Sequence, residues 1–199
     1  MGALRAALRQ LGIADNTILW FNSDNGGWID PKKPDANGVS GGLRGRKGDM
    51  WEGGLRVPCV IEWPARIKQP AVTETAAGVV DIYPTLVEIM QAKVPDQVKP
   101  LDGISLLPLI DGRMKERPKP LGFWQGYAGT LTGPAAWSDN RYKLVKLGGD
   151  KFELYDLTTD LAEEKNLADA QPEIVERIDR KSTRLNSSHP RLSRMPSSA

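Results

Sequence analysis

Two polar clusters in the first third of the chain have residue types and spacing suited to holding cations and anions. The first, Ser23-Asp24-Asn25-Gly26-Gly27, sets a carboxylate beside an amide in a glycine-rich turn. Asp24 and Asn25 offer hard oxygen donors of the kind Ca²⁺ and Mg²⁺ prefer, and the glycines let the backbone turn tightly behind them. Two ligands are not a site, because Ca²⁺ takes about six to eight oxygens. Taken alone, the same four residues Asp-Asn-Gly-Gly also describe an ordinary Asn-Gly turn. The second cluster puts Lys47 between Gly45 and Gly48 and continues to Glu52-Gly53-Gly54. A compact ammonium on a permissive backbone can approach an anionic group closely. No Gly-Lys-Ser/Thr occurs, so this is not a nucleotide-binding P-loop. Nor do the oxygen-bearing residues after Asp24 alternate as an EF-hand loop requires.

Apolar runs frame both clusters. Thr17-Ile18-Leu19-Trp20-Phe21 has the β-branched and aromatic content of a buried strand, and it delivers Asp24 and Asn25 at its end. Leu55-Arg56-Val57-Pro58-Cys59-Val60-Ile61 reads as a second buried strand, which makes Cys59 a buried thiol. Leu4, Leu8 and Leu11 fall at helical spacing, so residues 2–11 form a surface helix that packs on the first strand. Helix followed by strand is the αβ unit of an α/β fold, in which ligand sites lie at the carboxyl ends of strands. A further helix begins near Asp81, with Pro84 in its first turn and Ile82, Leu86 and Ile89 on one face. Residues 94–119 form a Pro- and Gly-rich connection with one helical turn around Leu106 to Ile110. From Pro120 the pattern changes to short strands at 122–125, 135–138, 142–147 and 152–156, with turns at Asp139-Asn140 and Gly148-Gly149-Asp150. Pro172 starts a final helix with Glu173 and Glu176 near its N-terminal end.

The sequence SDNGG followed by LRGRKGDMWEGGLRVP resembles the C-terminal half of a sulfatase of the arylsulfatase type, within the alkaline-phosphatase-like superfamily. WPARI, VVDIYPTL, LDGISLLPLI and LYDLTTDLAEEKNL resemble that family in the same order, so the likeness covers about Leu11 to Ile178. The resemblance implies a partial alkaline-phosphatase-like α/β fold followed by a small antiparallel sheet and helix. It implies that Asp24 and Asn25 coordinate a divalent cation, Ca²⁺ in preference to Mg²⁺. It also implies that Lys47 contacts the sulfate, stabilising its charge and that of the leaving oxygen, as a binding and catalytic residue. Glu52, Gly53 and Gly54 are read as structural.

In that family the nucleophile is a formylglycine made from a Cys or Ser followed by Pro (or Ala) two residues later and Arg four residues later. No such segment occurs in these 199 residues, and Cys59 continues as Val-Ile-Glu-Trp. The expected parent is a sulfuric ester hydrolase acting on a sulfated small molecule or glycan, with this fragment inactive by itself. Two other parents fit the same residues: a phosphodiesterase or phosphonate hydrolase of the superfamily, and a calcium-stabilised binding protein that lost the nucleophile.

The loop from Trp28 to Ser40 carries Lys32 and Lys33, which either touch substrate or are simply solvated. Trp28 and Trp51 have the shape to stack on a sugar ring, but packing against the scaffold is the commoner use of such side chains. Arg141, Lys143 and Lys146 either reach substrate or form a solvated strand face, and the solvated face is the commoner use.

The end of the chain, residues 179–199, begins DRKSTRLNSSH and reads as a translated sequencing-library adapter, an artefact set aside from fold reasoning. Without it, 27 basic and 25 acidic residues become 22 and 24, so a formal charge of +2 turns to about −2. That balance gives no support to a nucleic-acid partner. No run approaches the roughly twenty apolar residues of a membrane span. No leader is apparent at Met1, and the family suggests a periplasmic or secreted parent. The expected domains are 1–119, the catalytic α/β part, and 120–178, the sheet-and-helix part.

Overall fold

The computed structural model describes residues 1–28, 30, 32, 38, 40–97, 100–125, 133–148 and 151–187. The chain divides into two compact units, Met1–Asp24 with Val57–Arg117, and Asn25–Arg56 with Pro118–Ala199.

In the first unit, helix α1 (Gly2–Gln10) buries no residue, and Leu4 and Leu11 stay exposed. Leu8 is half-buried, and at the surface Arg5 Nε lies 2.5 Å from Glu62 Oε2. Strand β1 (Leu19–Asn22) pairs antiparallel with β2 (Cys59–Glu62), in register Leu19 with Glu62 through Asn22 with Cys59. Phe21 and Val60 are cross-strand partners and so share a face, yet they are 50% and 61% exposed. Cys59 is exposed as well. The expectation of two buried strands and a buried thiol is therefore corrected. The apolar pattern marks these residues as buriable, but a ribbon of two strands has no third strand or facing layer among the described residues to cover them.

The rest of this unit is organised by one buried carboxylate. A 3₁₀ turn (Val79–Asp81) runs into α3 (Ile82–Met90), where Ile82, Leu86 and Ile89 are half-buried, and α4 (Leu107–Ile110) follows. Asp81 accepts from Arg117 Nη1 at 2.6 Å and Nη2 at 2.8 Å, with both side chains fully buried. Its oxygens also accept the N–H groups of Gly78 and Ile104, each at 2.8 Å. Thr85 Oγ1 then takes the N–H of Leu106 at 2.8 Å, which pins the LDGIS turn to the start of α3. A buried charge is tolerated only when its lone pairs are satisfied in this way.

In the second unit, strands β3 (Leu121–Trp124), β4 (Ala135–Asp139), β5 (Tyr142–Gly148) and β6 (Lys151–Asp156) form an antiparallel meander in chain order. Asn140, at φ 57°, makes the β4–β5 turn. The turn expected at Gly149-Asp150 lies outside the described residues. Alternation sends side chains to two faces, and both are covered. Trp137, Leu144 and Leu154 pack with Ile178, Ile174 and Val175 of α5 (Pro172–Ser187). Ala136, Val145 and Tyr155 pack with Met50, Trp51 and Leu55. The segment carrying Lys47 thus forms the layer on the second face. Helix α5 continues past Ile178 through Asp179 to Ser187, into the residues set aside above.

Candidate functional site

Lys47 occupies the second position of a β-turn closed by the Asp49 N–H donating to the Arg46 carbonyl at 2.9 Å. Gly48, the third residue, has φ 94°, the left-handed value that a type II turn demands and that glycine adopts without strain. The Asp49 carboxylate accepts the Arg46 N–H at 3.0 Å and tightens the turn. Two backbone bonds then lace the two polar clusters together, the Lys47 N–H donating to the Gly27 carbonyl at 3.0 Å and the Gly26 N–H to Gly54 at 2.9 Å. Within the second cluster the Gly53 N–H donates to the Arg44 carbonyl at 2.7 Å. A Cβ on Gly26 would overlap the Gly53 carbonyl oxygen, so the approach requires glycine.

The lysine these contacts position is exposed, and its ammonium forms no ion pair among the described residues. Asp24 is exposed too, its carboxylate without a hydrogen bond or ion pair among the described residues, while Asn25 is half-buried. Asp24 and Asn25 are consecutive residues of one turn and carry a carboxylate and an amide, both of them hard oxygen donors. Among the described residues no group of three or more His, Cys, Asp and Glu gathers as a metal cage, so this pair would be part of a larger coordination shell.

Glu52 plays a different part. It begins the short helix α2 (Glu52–Leu55), is buried, and receives Lys143 Nζ at 2.8 Å and Arg56 Nε at 2.5 Å. Lys143 also reaches Glu163 Oε1 at 2.9 Å, and Glu163 Oε2 accepts the Glu52 N–H at 2.6 Å. Burial would raise the Glu52 carboxyl, but Lys143 and Arg56 together outweigh it and hold the group below its ordinary range. Glu163 goes the other way, raised by burial with Lys143 offsetting only part of the effect. Lys143, expected on a solvated face, is fully buried, which corrects that reading. It points from β5 to the same face as Val145, the face that Met50 and Trp51 cover. Arg141 is exposed and pairs with Asp156 at 2.6 Å, and Lys146 lies 5.5 Å from the Phe152 ring. Strand alternation puts Lys143 on the face of Val145, but Tyr142-Lys143-Leu144-Val145 carries no apolar–polar alternation that marks this face as buried, and nothing in the sequence pointed to Glu163 or Arg117 as partners.

The two tryptophans separate. Trp51 is locked, with Nε1 on Glu153 at 2.9 Å and the Arg44 guanidinium 4.1 Å from its ring centroid. Trp28 remains 56% exposed. Lys32 is exposed, and Lys33 lies outside the described residues.

Residues 46–188 match the family described as N-sulphoglucosamine sulphohydrolase, C-terminal. The chain belongs to this sulfatase family. A steryl-sulfatase from Mus musculus is 37% identical over 116 residues, covering 56% of this chain and 18% of the relative. A sulfatase from Formosa agariphila is 37% identical over 174 residues, covering 81% of the chain and 30% of that protein. The solved structure of Ps i-CgsB in complex with k-i-k-neocarrahexaose superposes with a TM-score of 0.78 at 27% identity, over 96% of this chain and 41% of that one. The fold is therefore the alkaline-phosphatase-like fold of sulfatases, in part. This sulfatase chain spans well under half the length of the relatives it matches.

Proposed function

We propose that this chain is the charge-stabilising part of a sulfuric ester hydrolase. The observation that carries the reading is the bond from the Lys47 N–H to the Gly27 carbonyl at 3.0 Å, which ties the lysine turn to the Asp-Asn-Gly-Gly turn. Lys47 would meet the sulfate oxygens and the leaving oxygen with a fixed positive charge, and such preorganised charge contributes most where negative charge develops. Asp24 and Asn25 would hold Ca²⁺, which supplies Lewis-acid polarisation of a sulfate oxygen when bound. The exposure of Lys47 and Asp24 leaves both groups available for these roles. The nucleophile, a formylglycine, would come from residues outside these 199. The substrate would be a sulfated small molecule or glycan, as suggested by the neocarrahexaose complex of the neighbouring structure.

Sulfate release by the whole protein that carries this chain tests the proposal, with phosphate and phosphonate esters measured in parallel. The expected result is a preference for sulfate esters, loss of turnover on chelation, and recovery with Ca²⁺. Preference for phosphonate or phosphate esters would move the protein to the phosphonate hydrolase reading. Ca²⁺ binding without turnover of any ester would leave a binding protein.

A further inference from the structure

Trp28 is the most exposed of the six tryptophans, at 56%, whereas Trp137 is 3% exposed and Trp51 is locked by Glu153 and Arg44. Solvating an indole forfeits more apolar burial than solvating any other side chain, so its position asks for a use. The backbone beneath it is fixed from both sides. The Gly27 carbonyl accepts the Lys47 N–H at 3.0 Å, and the Trp28 carbonyl accepts the Gly38 N–H at 2.9 Å. A firmly held backbone carrying an exposed aromatic ring is preorganised for a ligand, because ordering costs are met in advance. The Arg46 guanidinium, next to Lys47 in sequence and also exposed, stands 5.8 Å from the Trp28 ring centroid. That lies within the range of a cation–π contact, so ring and cation are presented together.

We infer that Trp28 and Arg46 bind the saccharide that carries the scissile sulfate, the indole taking a face of a sugar ring and the guanidinium a second anionic substituent. This rests on the sulfatase reading of Lys47 and specifies its substrate class: a saccharide with at least one further sulfate or carboxylate near the ester that is cleaved. An indole face suits the C–H side of a sugar, and guanidinium recognises sulfate or carboxylate with paired donors.

The test is steady-state kinetics of the whole protein and its W28A, W28F and R46A variants, on a polysulfated oligosaccharide and on a monosulfated aryl ester. For the oligosaccharide, W28A and R46A are expected to lower kcat/KM by about tenfold or more, mainly through KM. W28F should recover much of the W28A loss. The aryl ester should stay within about twofold in all three. Unchanged oligosaccharide kinetics in W28A and R46A, or equal losses on both substrates, would overturn the inference. Lys47→Ala serves as the separate arm: near-normal turnover in that variant would sink the sulfatase reading itself, whatever Trp28 does.

Discussion

At the scale of single residues, the buried carboxylates Glu52 and Glu163 share one ammonium, Lys143. Substituting Lys143 by Met would strand Glu163 and leave Glu52 with Arg56 alone, and breaking such a buried arrangement costs about 3–5 kcal/mol. Thermal unfolding of K143M should show that loss, a shift far larger than for R141A at the exposed pair. The two acids also make opposite pH predictions. Glu52, held below the ordinary 4.5, contributes stability that is lost as pH falls below that value. Glu163, raised above 4.5, contributes stability at low pH that is lost as pH rises through its folded value. In the native protein the two partly cancel. E163Q removes the second effect, so its Tm should fall more steeply than the wild type's between pH 6 and pH 3.5. Parallel curves would show that Glu163 does not titrate as described. At this scale Lys47, Asp24 and Asn25 stood out through polar side chains set among glycines and through the motif resemblance, and their roles are those proposed above. Lys143 was misread because a strand lysine announces burial only through the layer that covers it.

Among the elements, the turns do the positioning. The Gly26 contact with Gly53 leaves no room for a methyl group, so G26A should push the two clusters apart. We expect it to destabilise the protein by about 2 kcal/mol or more and to lower turnover through misplacement of Lys47. G2A is the matched control: a Cβ at Gly2 meets nothing within 4 Å at the start of α1, so Tm should hold or rise. Equal effects of the two substitutions would contradict the close approach. Strands β3 to β6 could be read within a residue or two, since alternation and turn residues agree. Helix α2 could not, because Glu-Gly-Gly-Leu has poor helix propensity and forms its one turn under the bonds of Glu52 to its neighbours. The apolar runs around Phe21 and Cys59 named strands correctly, but a run cannot say what will cover it.

At the largest scale the chain divides into two units and covers 18% and 30% of two of its relatives. What was legible at this scale was the family, carried by the order of motifs from Asp24 to Leu167. The expected division at 119/120 follows the change in sequence pattern, whereas contacts group Asn25–Arg56 with the C-terminal sheet through residues far apart in sequence, such as Glu52 with Lys143. Lys47 is the cation that the turn, the backbone bonds and the permissive glycine together present. The most direct test is the kinetics of K47A in the whole protein on sulfate esters, alongside its melting curve. Preorganised charge of this kind predicts a fall in kcat/KM of about 100-fold or more on every sulfate ester, with Tm within about 2 °C of the wild type because Lys47 makes no ion pair among the described residues. Turnover close to wild type in a folded K47A protein would contradict it.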